Sequence, residues 1–135
     1  MITATTREEY RIEFTDGFRA AYADLPAAKG GRGDGFGPHD LLEAALATCI
    51  AMTARMMAAK HDLPLIEARC TVRIDRSVPD AAILNYDLSL EGPLTTEHEF
   101  QIRDAVSRCP VVRTVSGRIS IQPTQLIGNG EEGTR

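Results

Sequence analysis

The sequence DLLEAALATCIAMTARMMAAK occupies residues 40–60 and predicts the main helix of the fold. Most of it is alanine, leucine and methionine, which favour helices. Asp40 and Glu43 have the spacing of a capping box, so we expect Asp40 to cap the first turn. Apolar side chains occur on nearly every side, which is typical of a buried helix. A chain of 135 residues offers few elements to cover such a helix, so a second subunit is indicated.

The segments on either side of this helix have the patterns of strands. Ile66 to Ile74 and Leu84 to Leu90 place apolar residues at every second position, which predicts two strands that each bury one face. Residues 5–24, ahead of the helix, predict a hairpin with its turn at Thr15-Asp16-Gly17.

A shorter helix is predicted after these strands. Thr96–Glu99 has a second capping-box spacing, and Pro110 interrupts the helical pattern that follows. Residues 118–122 then predict a last strand. The order is ββ-α-ββ-α-β, which indicates an α+β fold in one domain over residues 1–127, with a polar tail at 128–135.

Composition excludes several classes of partner. The net charge is −4, the pI is about 5.3, and aromatic residues make up 5% with no tryptophan, so we expect no nucleic-acid or membrane partner. The N-terminus lacks the pattern of a secretory signal. The most apolar segment, residues 44–59, is shorter than the ~20 residues that a membrane helix needs. Three irregularly spaced cysteines do not resemble a secreted disulfide framework, so we expect a cytoplasmic protein.

The three cysteines lie in different local contexts. Cys70 is on the apolar side of a predicted strand, which favours a role in the core. Cys49 is in the middle of the main helix, where a core role is again common, although Thr53 one turn later could hydrogen-bond its sulfur.

Cys109 precedes Pro110, a residue favoured at the first position of a helix. Cys109 would then be an N-cap, where the helix dipole and the charges of Arg108 and Arg113 would lower its thiol pKa. The histidines lack metal-site spacings, so we expect no metal; a zinc site made by Cys49, Cys109 and a histidine is the weaker alternative.

Two motifs together resemble a known family. Residues 37–53, GPHDLLEAALATCIAMT, are similar to the OsmC/Ohr segment in which a Gly/Asn-Pro pair and an acidic residue lead into a cysteine-bearing helix. Residues 108–114, RCPVVRT, resemble the family's second motif, a Cys-Pro pair. The separation of sixty positions between Cys49 and Cys109 also fits. The resemblance extends from Thr5 to Gln122 and favours the OsmC-like branch.

The resemblance implies an intertwined α+β homodimer in which two long helices pack centrally. It also implies thiol-dependent reduction of organic hydroperoxides. Cys49 matches the peroxidatic cysteine and Cys109 the resolving cysteine, with which it forms a disulfide. An external dithiol reduces that disulfide, and no cofactor takes part. Cys70 has no counterpart in the motif.

The acidic position differs from the family pattern. The family's catalytic acid is usually a glutamate near the start of the long helix, where this chain has His39 and Asp40. Asp40 lies nine positions before Cys49 and so on the far side of the helix. It would act only if the helix start bends back, or in the partner's site; otherwise it caps the helix.

The family's thiolate-supporting arginine comes from the N-terminal hairpin. Arg11 is the best positional match, ahead of Arg19 and Arg7. Because the acidic position differs, a redox-sensing or small-molecule-binding dimer with little turnover is the alternative function. A structural dimer with incidental thiols is the third hypothesis.

Overall fold

The computed structural model describes residues 1–124, so the predicted tail at 128–135 and the predicted domain end at 127 lie outside the described residues. The α+β class is confirmed. In chain order the elements are β1 (Thr3–Thr6), β2 (Ile12–Thr15), β3 (Ala20–Ala23), α1 (Pro38–Lys60), β4 (Glu67–Asp75), β5 (Ile83–Glu91), α2 (Thr96–Val106) and α3 (Pro110–Ser116). The order differs from the predicted one at both ends of the chain.

The N-terminal part is an antiparallel sheet in the order β1-β2-β3. The predicted hairpin is its β2–β3 pair. Asp16 holds the turn, because its Oδ1 accepts hydrogen bonds from the N–H groups of Phe18 at 2.9 Å and Arg19 at 2.7 Å. Gly17 has a φ of 98°, which glycine adopts without strain. β1 is an additional strand, formed by pairing with β2.

A glycine-rich loop joins β3 to α1 and wraps around a buried carboxylate. Asp24 is buried, and its two oxygens accept hydrogen bonds from the N–H groups of Leu25 at 2.8 Å and Arg32 at 3.0 Å. A Cβ added to Gly31 would lie 1.9 Å from the carbonyl oxygen of Leu25. The glycine there allows this close approach, which explains the composition of the loop in structural terms.

Helix α1 begins two residues before its predicted start. Gly37 is the N-cap and Pro38 the first helical residue. Asp40 is therefore not the N-cap that its spacing predicts; it lies in the first turn, and its Oδ2 accepts a hydrogen bond from Gly37 N at 2.8 Å. At 23 residues α1 is long and apolar enough to cross a membrane. A core helix passes the same test, and α1 packs against β4 and α2.

The core lies between α1, the β4–β5 sheet and α2. One stripe of α1, with its members four residues apart, is buried: Leu46, Ile50, Ala54 and Ala58. These side chains pack against Val72 of β4 and against Ile102 and Val106 of α2. β4 and β5 pair antiparallel, with Cys70 opposite Leu88, so the two alternating strands predicted from sequence are confirmed.

The C-terminal part departs from prediction in two ways. The N-cap of α2 is Thr95, whose Oγ1 accepts from His98 N at 3.2 Å, so the predicted box at Thr96 is displaced by one residue. Residues 118–122 form no strand within the described residues, and Ile119 and Ile121 are exposed. An extended segment becomes a strand only by pairing with another strand, and these residues pair with neither sheet in the described part of the chain.

The single chain has a large surface for its mass. It exposes 10736 Å², whereas a folded monomer of its 14.7 kDa exposes about 7,000 Å². Part of the surplus is an exposed stripe of α1, hereafter the α1 seam, which consists of Ala45, Thr48, Met52, Met56 and Ala59. One chain therefore buries only one side of α1, which differs from the burial all round that its composition predicts.

Candidate active site

Cys109 lies at the junction of α2 and α3. α2 ends at Val106, and Pro110 begins α3, so Cys109 is the N-cap of α3, as predicted. Its backbone is extended, with φ −61° and ψ 153°, and its side chain is only 1% exposed. The proline fixes the break between the helices, because it has no N–H to continue the hydrogen bonding of α2.

Cys49 lies in the middle of α1, beside Cys109. It is half-buried and packs against the core cluster that contains Cys109. The two thiols are near enough for Cys49 to help raise the pKa of Cys109. The fold thus brings together two cysteines separated by sixty positions in sequence.

Burial raises the pKa of the Cys109 thiol above its ordinary value. The backbone N–H groups of Val112 and Val111 at the start of α3 act in the opposite direction, and the neighbouring Cys49 raises the pKa further. The predicted lowering of this pKa is therefore wrong. The N-cap position is real, but loss of water around the sulfur outweighs it.

The two arginines expected to lower that pKa lie at the surface. Arg108 makes a two-pronged ion pair with Asp104, at 2.8 and 2.6 Å, so a carboxylate already balances its charge. Arg113 is exposed on α3.

Cys70 is half-buried on β4 and packs against the same core cluster. Burial raises its thiol pKa, with smaller contributions from Asp87 and Cys109.

The acidic candidates lie at the start of α1, away from the thiols. The Oδ2 atom of Asp40 accepts from Gly37 N, as described above, and His39 is exposed beside it. Within residues 1–124, no hydrogen bond or ion pair joins Asp40 or His39 to Cys49. A single chain does not bring this carboxylate to the cysteine pair.

The arginine candidates are all engaged within the N-terminal sheet and its loop. Arg11 Nη1 lies 2.7 Å from Asp34 Oδ2, and its guanidinium stacks 4.2 Å from the centroid of the Tyr22 ring. Arg7 pairs with a glutamate at 2.7 Å and Arg19 with an aspartate at 3.1 Å. In the described part of the chain, none of the three contacts the thiols through a hydrogen bond or ion pair.

An apolar cavity of about 380 Å³, hereafter the Met56 groove, reaches Cys109 from the surface. It lies between α1 and the α2–α3 junction. Its lining consists of Thr53, Met56, Met57, Lys60, Ala105, Arg108, Cys109 and Pro110. Sequence reasoning missed the methionines and the lysine. Their positions seven, eight and eleven residues after Cys49 would have placed them along one side of α1.

No group of three His, Cys, Asp or Glu side chains within residues 1–124 is arranged to hold a metal ion.

A family model and several solved structures of OsmC-like or organic hydroperoxide resistance proteins match this chain. The model of the family described as OsmC-like protein matches residues 31–124, and no curated protein matches the chain. Among solved structures, an OsmC-like protein of Mycoplasma pneumoniae is 23% identical with a TM-score of 0.74, over 87% of this chain and 86% of that chain.

Two further solved structures have names that state a biological role. An organic hydroperoxide resistance protein OsmC of Legionella pneumophila is 23% identical with a TM-score of 0.62, over 87% of this chain and 88% of that chain. The organic hydroperoxide resistance protein OhrB of Bacillus subtilis is 21% identical with a TM-score of 0.61, over 87% and 90%. At these identities the likeness establishes a shared fold.

Proposed function

Because this chain belongs to the OsmC-like protein family, we propose that it reduces organic hydroperoxides with a pair of thiols. Cys49 is the attacking residue and Cys109 the resolving one. The observation that carries the proposal is the contact between half-buried Cys49 and fully buried Cys109, far apart in sequence. The names of the Legionella and Bacillus proteins with this fold support the choice of substrate class.

The reaction needs only sulfur chemistry. The Cys49 thiolate attacks the O–O bond of the hydroperoxide, becomes a sulfenic acid and releases an alkoxide, which takes a proton to give the alcohol. The Cys109 thiol then condenses with the sulfenic acid, forming a disulfide and water. An external dithiol restores both thiols by two exchange steps and leaves as its own disulfide.

The environments of the two thiols are consistent with Cys49 as the attacking residue and Cys109 as the resolving residue. Cys109 is buried, and burial raises its pKa, so it stays protonated at neutral pH and does not compete for the peroxide. Its thiol proton then goes to the hydroxide that leaves when the disulfide forms. Cys49 is less buried and is therefore the thiol that a substrate meets.

We further propose that the active form is a cytoplasmic homodimer. The α1 seam and the surplus surface of the single chain support a second copy. The β1–β3 sheet packs mostly on itself, so it is available to lie against the other subunit. In that arrangement Arg11 would support the thiolate, and Asp40 would serve as the acid, in the partner's site.

A second function has specific support. Arg11 is paired with Asp34, and an oxygen of Asp40 is already bonded to Gly37. If these contacts persist in the dimer, the thiols lack both helpers, and the protein senses oxidants or binds a small molecule with little turnover.

The first experiment is intact-mass analysis and peptide mapping, without reductant, after one equivalent of cumene hydroperoxide. We expect a disulfide between Cys49 and Cys109 within one chain, with Cys70 free. An unreacted protein, or one oxidised at random, contradicts the proposal and favours the second function.

Steady-state turnover with a dithiol then assigns the residues. Cys49→Ser and Cys109→Ser should each abolish peroxide consumption. Cys70→Ser makes the same change at the third cysteine and should leave turnover intact. Full activity in Cys49→Ser would rule out the mechanism.

A further inference from the structure

Among the described residues that line the Met56 groove, only Thr53 carries a hydroxyl group. Thr53 is half-buried on α1 and shares the groove wall with Cys109. It follows Cys49 by four positions, so these two side chains lie on the same face of the helix with Cβ atoms about 5–6 Å apart. Thr53 therefore adjoins the thiol inside the groove and the thiol on the preceding turn of α1.

The Thr53 hydroxyl is uncommitted in the described part of the chain. A threonine inside a helix commonly donates its hydroxyl hydrogen to a carbonyl oxygen one turn earlier. Thr48 donates to the carbonyl oxygen of Ala44 at 2.7 Å. Thr114 on α3 donates to the carbonyl oxygen of Pro110 at 3.1 Å. The Thr53 side chain makes no such bond there, so its hydroxyl hydrogen is available to an acceptor beside the groove.

Helix geometry directs the Thr53 side chain towards Cys49. The side chains of a helix lean towards its N-terminus, and the preceding turn on this face of α1 carries Cys49. The other charged donors of the lining are less well placed. Arg108 is held in its two-pronged pair with Asp104. Lys60 follows Cys49 by eleven positions, about 16 Å along the helix axis. Thr53 is thus the donor best placed to reach the Cys49 sulfur.

We propose that the Thr53 hydroxyl donates a hydrogen bond to the Cys49 sulfur when that thiol is ionised, which makes Thr53 a catalytic residue of the proposed reaction. A hydrogen bond to an anion is stronger than one to a neutral thiol, so it favours the thiolate. Cys109 is fully buried and stays protonated, so it is the weaker acceptor of the two. The hydroxyl keeps its own proton throughout the reaction. The catalytic role rests on the proposed function, whereas the hydrogen bond does not.

This donor belongs to the same chain as the thiolate that it would support. Arg11 and Asp40 do not reach the thiols in the single chain, and their proposed roles depend on a second copy. Thr53 and Cys49 are held one turn apart by α1 itself. Each chain therefore carries one donor to its attacking sulfur before any partner binds.

Alkylation of Cys49 tests the hydrogen bond without any peroxide. The reduced full-length protein is treated with iodoacetamide between pH 6 and pH 10, and peptide mapping gives the rate of alkylation at Cys49 alone. Thr53→Val keeps the shape of the side chain and removes the hydroxyl. We expect this variant to move the midpoint of the pH profile upward by about one pH unit, since one hydrogen bond to the thiolate is lost. Equal midpoints in wild type and Thr53→Val would overturn the proposal.

Three further variants separate the hydroxyl from the packing of the side chain. Thr53→Ser keeps a hydroxyl in a smaller side chain and should keep the wild-type midpoint, whereas Thr53→Ala should shift the midpoint as Thr53→Val does. Thr114→Val removes a hydroxyl that is bonded to Pro110 on the exposed part of α3, and it should leave the Cys49 profile unchanged. If Thr53→Ser shifts the profile as far as Thr53→Ala, side-chain volume is responsible and the proposal fails.

Turnover separates this inference from the proposed function. At pH 7, Thr53→Val should consume cumene hydroperoxide about threefold more slowly, because an about tenfold loss of thiolate is partly offset by the greater reactivity of a more basic sulfur. The deficit should disappear at pH values above both alkylation midpoints. A deficit of the same size at every pH contradicts the proposed role of the hydroxyl. If the wild-type protein consumes no peroxide, the proposed function fails, and the alkylation profiles still decide whether Thr53 bonds to the sulfur.

Discussion

Cys109 shows how two local effects on one residue can oppose each other. The N-cap position directs the backbone N–H groups of Val111 and Val112 towards the sulfur, which favours the thiolate. Its side chain is 1% exposed, which favours the neutral thiol. Burial has the larger effect, so the pKa of Cys109 is raised. Sequence shows the cap because Pro110 follows, but burial depends on residues far away in the chain.

The raised pKa values of Cys70 and Cys109 predict a loss of stability in alkaline solution. Below the ordinary thiol pKa of about 8.5, both thiols are protonated in the folded and unfolded states, and they contribute their full stabilisation. Above it, the unfolded chain releases protons that the folded chain retains, so the free energy of unfolding falls as pH rises. Urea unfolding under reductant between pH 7 and pH 9.5 measures this slope.

Cys70→Ala tests the contribution of one thiol to that slope. The variant removes one of the two groups and should flatten the alkaline decline relative to wild type. A slope equal to that of wild type would mean that the Cys70 thiol has the same pKa in the folded and unfolded chains.

Asp40→Asn separates capping from acid chemistry at one residue. Asparagine keeps a side-chain oxygen for Gly37 N, so the stability should change little, whereas Asp40→Ala should cost about 1 kcal/mol. If Asp40 is also the acid in the partner's site, both variants should reduce kcat/KM at least tenfold. Thermal melts and turnover rates of the two variants, measured side by side, distinguish the capping role from the acid role. Normal turnover in Asp40→Asn would leave Asp40 as a helix cap only.

At the scale of elements, one side chain joins α1 to the start of β4. Arg55 donates from its two terminal nitrogens to the carbonyl oxygens of Leu65 at 2.8 Å and Ile66 at 2.6 Å. These carbonyls belong to the segment that leads from α1 into β4. The contact therefore fixes the direction in which the strand leaves the helix.

Arg55→Met should destabilise the fold by about 1–2 kcal/mol, because two carbonyl oxygens lose a charged donor while most of the aliphatic stem remains. Arg69→Met is the control, since the exposed Arg69 side chain forms its ion pair with Glu67, two positions away on β4. We expect that change to lie within about 0.5 kcal/mol of wild type. Urea denaturation at pH 7 measures both; equal effects would show that the Arg55 contact contributes nothing specific.

Elements that carry their own pattern were predictable from the sequence. The alternation in β4 and β5 gave both strands, and α1 ends at Lys60 as its composition predicts. β1 was missed because the sequence TATT of Thr3–Thr6 has no apolar alternation, and its pairing with β2 is what makes it a strand. Residues 118–122 alternate in the same way but pair with neither sheet of the described chain, so the pattern predicted a strand that the structure does not show.

In the candidate site, too, some residues could be predicted from local sequence and others could not. The positions of Cys49 and Cys109 followed from two local motifs, and the single chain brings them together. Arg11 and Asp40 are held by Asp34 and Gly37 in the single chain and do not reach the thiols there. The Met56 groove could not be foreseen, since it requires the packing of α1 against α2.

At the scale of the whole molecule, the exposed α1 seam supports the proposed second copy. The α1 seam places small residues and methionines at spacings of three or four positions, which lets a second helix approach closely. Its position beside Cys49 puts any partner helix next to the thiols. A substitution that disrupts the α1 seam should therefore abolish both dimer formation and peroxide turnover.

Met52→Glu tests this at the centre of the α1 seam. Wild type should have about twice the chain mass of 14.7 kDa by light scattering. The charged variant should shift towards monomer and lose turnover, because a buried carboxylate at an interface is unfavourable. Val78→Glu introduces the same charge at an exposed position after β4. This variant should remain dimeric and keep its turnover. A dimeric Met52→Glu protein would place the interface elsewhere.

The separation of Cys49 and Cys109 in sequence has a consequence for the chain's entropy. A bond between them would close a ring that contains β4, β5 and α2, and with them most of the core. Restricting an unfolded chain by a ring of this size favours the folded state by about 4 kcal/mol. The oxidised protein would then resist heat and proteolysis better than the reduced one. Each catalytic cycle would alternate between a covalently locked and an unlocked form of the same fold.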